Sequence, residues 1–265
     1  MRKLAIIPVM MIFLASAHAV HAKGLISTSM EIEIGRSVRD DLIEKYGTWD
    51  RVEDVEFINA ISSRLVEFTS RPGIEYEFYI LDMEEINAFA APGGFVFVTR
   101  GLLDFAERDS GMLAGVIAHE IGHVERKHQR DAMESAIYRQ LGLAVLFRAF
   151  DLKEEWMEIA GGVALTLIEQ GYSRDDEYDA DRQGVRLTYR AGWDPETGMI
   201  EFLRLLDAKV GDEDFLGEVG SWFSSHPETQ RRVMFAEEYL AEVKSTEPFE
   251  AYPLPESPPP PVEED

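Results

Sequence analysis

His119-Glu120-Ile121-Gly122-His123 is the stretch on which the reading of this 265-residue chain turns. Two histidines four apart on a helix lie on one face, about one turn apart. Their imidazoles can hold one zinc ion together, and Glu120 on the same turn can polarise a zinc-bound water. This is the H-E-x-x-H arrangement of zinc-dependent peptidases, which needs a helix, a third ligand and a place for substrate. The helix is legible. Asp109 or Ser110 begins it, and Met112, Leu113, Val116, Ile117 and Ile121 recur at helical spacing.

Composition narrows the third ligand. The chain has no cysteine, so no thiolate can bind a metal and no disulfide can brace the fold. Ligands must be His, Asp or Glu. Of 6 histidines, His18 and His21 fall in an N-terminal leader, which leaves His119, His123, His128 and His226. A metzincin spacing would need glycine at 126 and histidine at 129, where Arg126 and Gln129 stand. His128 lies about 140° around a continuous helix from His123, which takes it out of the cluster as a solvated or helix-end histidine. A carboxylate remains. Glu177 follows Ser173, a natural N-cap, with acids in the first turn to suit the helix dipole. Asp181, four residues on, shares that face and can accept the spare N–H of a ligating histidine. In a chain with 50 Asp and Glu, spacing alone does not separate Glu177 from its acidic neighbours.

The surrounding chain predicts an α+β, predominantly helical domain over residues 23–245. Helices are expected from Ser29 to about Tyr46, from the Gly47–Asp50 break to about Ser70, from Ser173 to Gly192, and from Pro227 to about Val243. The apolar pieces Leu141–Phe150 and Ala160–Ile168 read as buried helices. Ile74–Ile80 and Phe95–Thr99 are the expected strands, joined by a long loop. Arg2 and Lys3, the apolar run Leu4–Ala15, and small residues ending at Ala19 or Ala22 read as a signal peptide over residues 1–22. That run is too short to span a bilayer, so the expectation is an exported, periplasmic protein without a stable transmembrane segment after cleavage. A formal net charge of -24 argues against nucleic acid or anionic lipid as partners. Residues 246–265 gather Pro248, Pro253, Pro255 and Pro258 to Pro261 among acids, an extended or disordered tail.

Three further blocks carry a resemblance. They are Asn87 to Leu103; Ser173-Arg174 with Glu177, Ala180 and Asp181; and Ser225-His226-Pro227 with Arg232-Val233. With them the chain, from about Ile32 to Val233, resembles the gluzincin metallopeptidases that include the CAAX prenyl endopeptidases and the Oma-type, HtpX-type and periplasmic BepA-type proteases. The resemblance implies a zincin-type domain with a small β-sheet beside the H-E-x-x-H helix, and one Zn²⁺ per chain. It implies Glu177 as third ligand and Asp181 as its support. It also implies that an edge strand, here Phe95 to Thr99, takes an extended protein or peptide as an added strand. Asn87, Gly93, Gly94, Phe95, Val96 and Phe97 are then the candidate substrate contacts; the plainer alternative is a hairpin turn between core strands. His226 either steadies the oxyanion, acts as a displaceable extra ligand, or caps a helix before Pro227.

The function so implied is an exported zinc endopeptidase that hydrolyses extended or misfolded envelope proteins in quality control, with Glu120 as base. The rival is a non-proteolytic, chaperone-like protein with a structural or latent zinc site. Relatives with several membrane helices, helical repeats or a lipid-attachment cysteine have features absent here, so their partners do not transfer.

Overall fold

The computed structural model describes residues 24–141, 153–209, 222, 225–226 and 229–261. The expected signal peptide, residues 1–22, and nearly all of Leu141–Phe150 lie outside the described residues. Among the described residues the elements are α1 (Thr28–Tyr46), α2 (Val52–Val66), β1 (Glu77–Leu81), β2 (Ala88–Ala91), β3 (Phe95–Thr99), α3 (Arg100–Phe105), α4 (Ser110–Arg126), α5 (His128–Leu141), α6 (Lys153–Gln170), α7 (Arg174–Arg190), a π-helical turn (Glu196–Ile200), α8 (Glu201–Ala208) and α9 (Thr229–Thr246).

The sheet has the order β1-β3-β2. β1 runs parallel to β3, with Glu77 opposite Phe95, and β2 runs antiparallel to it, with Ala88 opposite Val98. Alternation of side chains across the pleat gives the sheet two apolar faces. Ala88, Ala90, Val96 and Val98 join α2 and α4 in one core. Phe89, Ala91, Phe95 and Phe97 join α1, α5 and α6 in another. A strand covered on both faces is apolar throughout, and every residue of β2 and β3 is buried.

Helix ends follow local chemistry. Ser27 caps α1 by accepting from Met30 N–H, so the helix starts at Thr28, one residue before the expected Ser29. The Asp109 side chain accepts from Met112 N–H at the start of α4. Ser173 and Asp176 form a reciprocal capping box at the start of α7. α4 stops where Lys127 takes a left-handed conformation, φ 66°. No helix among the described residues is long and apolar enough to cross a membrane.

One expectation is corrected here. Phe95–Thr99 is the central strand, with both flanks paired, and β2 is an edge. Phe95, Val96 and Phe97 are buried between the two cores. Gly93 (φ 82°) and Gly94 (φ 102°) make the tight β2–β3 turn, where an added Cβ would meet Ile32 Cα at 2.6 Å and Glu75 O at 2.6 Å. These residues build the hairpin rather than face an incoming chain.

The tail from Glu247 to residue 261 has neither helix nor strand, yet it lies against the body. Arg51 donates to Pro259 O at 2.7 Å, Arg64 to Pro253 O at 2.8 Å, and Ser257 to Arg108 O at 2.6 Å. Glu247 accepts from Arg190 Nε at 2.6 Å and Arg186 Nε at 2.9 Å.

Candidate metal centre

α4 and α7 cross closely because glycines stand at their contact. Gly122 faces Ala180 O and Gly184 faces His119 N, at distances of 2.9 and 3.2 Å from where a Cβ would sit. That approach brings Glu177 across from the two α4 histidines. His119 Nε2 and His123 Nε2 are 3.1 Å apart. Glu177 Oε2 is 3.5 Å from His119 Nε2, and Oε1 is 3.4 Å from His123 Nε2. Ligands about 2.0–2.1 Å from a tetrahedral zinc lie about 3.3 Å from one another, so the three residues fit such an ion. His226 completes a buried group of four whose ligand atoms all lie within 4.8 Å of one another.

Each α4 histidine is held from behind. His119 Nδ1 lies 2.9 Å from Asp181 Oδ1. His123 Nδ1 lies 2.9 Å from His128 Nδ1, and Tyr172 stacks on the His123 ring at 3.8 Å between centroids. His128 is therefore buried against His123, not solvated. The 140° offset assumed one continuous helix; the break at Lys127 folds the chain back. His128 stays outside the four metal-facing residues.

Arg232 ties the carboxylates together. Its Nε donates to Asp181 Oδ2 at 2.8 Å and its Nη2 to Oδ1 at 2.7 Å. Its Nη1 pairs with Glu177 Oε2 at 2.9 Å. Burial would raise the Glu177 pKa, but His226 and Arg232 outweigh it and hold the carboxylate well below its usual range. The same contest, won by Arg232, lowers Asp181. Burial and Arg232 oppose protonation of His119, yet hydrogen bonds to Asp181 and Glu177 bring it up to about 9. Burial depresses His123.

Glu120 differs from the other acids. It is fully buried, and neither carboxylate oxygen has a hydrogen-bond partner. Burial raises its pKa. Its nearest basic neighbour is His226, with Nε2 3.5 Å from Oε1. A buried acceptor without a donor is costly, and a catalytic role is one reason for a protein to carry it. Glu120 lies beside His119, His123, Glu177 and His226, the four residues that could hold a metal ion.

A family model described as peptidase family M48 matches residues 54–240. The chain belongs to peptidase family M48. It is 26% identical over 228 residues to the mitochondrial metalloendopeptidase OMA1 of Schizosaccharomyces pombe, covering 83% of this chain and 64% of that one. The beta-barrel assembly-enhancing protease of Escherichia coli K12 is 32% identical over 160 residues, 57% of this chain and 32% of its own. A protease HtpX homolog of Salinibacter ruber is 28% identical over 192 residues, 60% of this chain and 66% of its own. The chain spans less than two thirds of the length of each of these relatives.

In this M48 chain the structure brings His119, Glu120, His123, Glu177, Asp181 and His226 into one buried cluster. Asn87 lies at the start of β2 with its Oδ1 accepting from Ala88 N–H. Sequence reasoning gave no role to Arg232, Tyr172 or Gln129, and read His128 as a solvated or helix-end histidine; it is the first residue of α5, but buried. Arg232 stood in a recognised block; for the others no local pattern signals a partner.

Proposed function

We propose that this chain is an exported zinc endopeptidase that cleaves extended or misfolded envelope polypeptides. The observation that carries the reading is Glu120, buried and without a hydrogen-bond donor, beside three convergent candidate ligands and next to β2, an outer strand of the sheet. His119, His123 and Glu177 would hold the zinc. A bound zinc supplies a Lewis acid that polarises a carbonyl and acidifies water. Glu120, whose proton affinity is raised by burial, takes the water's proton and delivers it to the leaving amine. Asp181, His128 and Arg232 hold the ligands in orientation.

β2 replaces β3 as the strand that receives substrate. Ala88 O lies 3.4 Å from His226 Nε2, so the edge runs beside the cluster, and an extended chain added there passes the ligands. Envelope clients agree with the N-terminal leader and with the name of the beta-barrel assembly-enhancing relatives. The chaperone-like rival explains neither the orphaned Glu120 carboxylate nor its place beside the ligands.

A second reading is favoured by one distance. His226 Nδ1 is 3.1 Å from Glu177 Oε2, close enough for His226 to take the remaining ligand position and silence the site. His226→Ala separates the cases: activity rises if the residue closes the site and falls if it steadies the oxyanion. The main test is cleavage of an unfolded polypeptide by the full chain. Activity lost to a chelator and restored by zinc supports the reading. Binding without turnover at every zinc level supports the chaperone-like rival.

A further inference from the structure

The ladder phase of β2 says which of its polar groups face outward. Thr99 donates its N–H to Asn87 O at 3.0 Å. In the observed register, residues 87, 89 and 91 therefore spend their groups on β3, and Ala88 and Ala90 turn theirs away. Such an edge ordinarily offers itself to another strand. Here the protein's own side chains stand against it. Ala88 N–H donates to Asn87 Oδ1 at 2.9 Å. Ala88 O lies against His226 Nε2, and Ala90 O accepts from Gln129 Nε2 at 3.4 Å. Three of the four outward groups are thus engaged by side chains.

Gln129 is the telling member. It is 1% exposed and sits one residue into α5, just after the chain reverses at left-handed Lys127. Its carboxamide is chemically a peptide group, and its N–H₂ stands on Ala90 O where the N–H of an added strand would stand. The hold is weak. The 3.4 Å distance is long for an N–H···O bond, and Oε1 is buried without a hydrogen-bond partner. A half-satisfied buried amide is easily given up for main-chain bonds of better geometry.

We propose that Gln129 and Asn87 form a latch on the substrate-receiving strand. Their side-chain amides hold main-chain groups of β2 that an extended polypeptide must take over, and so set how readily it enters. The proposal rests on the reading of β2 given above and assigns these two residues to substrate entry, apart from metal binding. Gln129 is not among the four metal-facing residues, so its loss should leave zinc affinity in place.

The test uses the full chain carrying Glu120→Gln, which binds without turnover, and fluorescein-labelled casein as an unfolded polypeptide. Gln129→Met keeps the volume and removes the donor. It should tighten casein binding by about 2- to 10-fold, the worth of one net hydrogen bond, with zinc stoichiometry unchanged. Asn87→Ala should act in the same direction. With Glu120 intact, Gln129→Met should lower KM by a similar factor and leave kcat within about 2-fold, a split that loosened packing would not give. Equal or weaker casein binding by a zinc-loaded Gln129→Met chain overturns the latch. If neither parent nor variant binds casein, the receiving-strand reading fails and the latch with it.

Discussion

Arg232 grips Asp181 through two parallel contacts, Nε to Oδ2 at 2.8 Å and Nη2 to Oδ1 at 2.7 Å, with both side chains buried. The same guanidinium reaches Glu177. A residue more than fifty positions from either acid thus balances the charge of a proposed metal ligand and of the group behind His119. Removing one partner of a buried pair costs about 3–5 kcal/mol, and losing support behind a ligand weakens metal binding about 10- to 100-fold. Arg232→Met should show both, in denaturant midpoint and in zinc titration. Arg232→Lys should not restore them, because a single ammonium cannot span three carboxylate oxygens. A stable, tightly metal-binding lysine variant would remove Arg232 from the account.

Asp54 makes a second buried network, away from the candidate metal centre. It accepts from Arg108 Nε at 2.8 Å, Trp49 Nε1 at 2.9 Å and Arg51 Nη1 at 3.1 Å. Burial would raise its pKa, but the bonds from Arg108 and Trp49 outweigh it and lower it. A carboxylate lowered on folding stabilises the fold above its unfolded value of about 3.9, and that contribution disappears as pH falls through the lower folded value. Asp54→Asn should therefore cost about 3 kcal/mol at pH 7, and the gap to the parent should begin to narrow below about pH 4 and close as pH falls through the lower folded value. Urea midpoints at the two pH values check the sign; a gap that widens in acid would contradict it.

The α4–α7 crossing leaves no room at Gly122. A Cβ there would come within 2.9 Å of Ala180 O and 3.1 Å of Gln183 Cβ. Alanine would gain about 1 kcal/mol in helix propensity and lose about 1–3 kcal/mol to overpacking. Gly122→Ala should destabilise slightly and, by displacing α7, weaken zinc binding more than stability. Zinc affinity equal to the parent would show that helix spacing does not tune the site.

Zinc should also act on the whole fold. A ligand that binds only the native state stabilises it by about 2.7 kcal/mol at 100 times its dissociation constant. Adding zinc to chelated protein should raise Tm, and Glu177→Ala should remove most of the rise. An equal rise in that variant would place the ion elsewhere.

The helical frame of the site was legible in the sequence because its signals are local. Asp109 and Ser173 cap the helices that carry the ligands, and His119 and His123 share a face by periodicity alone. β2 was not legible. Ala88-Phe89-Ala90-Ala91 is four residues long, mostly alanine and buried on both faces, so it shows neither alternation nor strand propensity. Missing it made β3 look like an edge. The burial of His128 and the contact of Gln129 were not legible for a different reason. Lys127 takes a positive φ, which no pattern at a non-glycine position announces, and it returns the chain toward His123 and β2. Arg232 could be seen but not assigned, because its partners lie 51 and 55 positions away in sequence.

The central claim is that Glu120 is the proton carrier of a zinc-dependent hydrolysis. It is tested most directly by the cleavage rate of an unfolded polypeptide by Glu120→Gln, compared with the parent at equal zinc occupancy. The account predicts a loss of about 10²- to 10⁴-fold with zinc retained. A zinc-loaded Glu120→Gln chain that cleaves at the parental rate would contradict it.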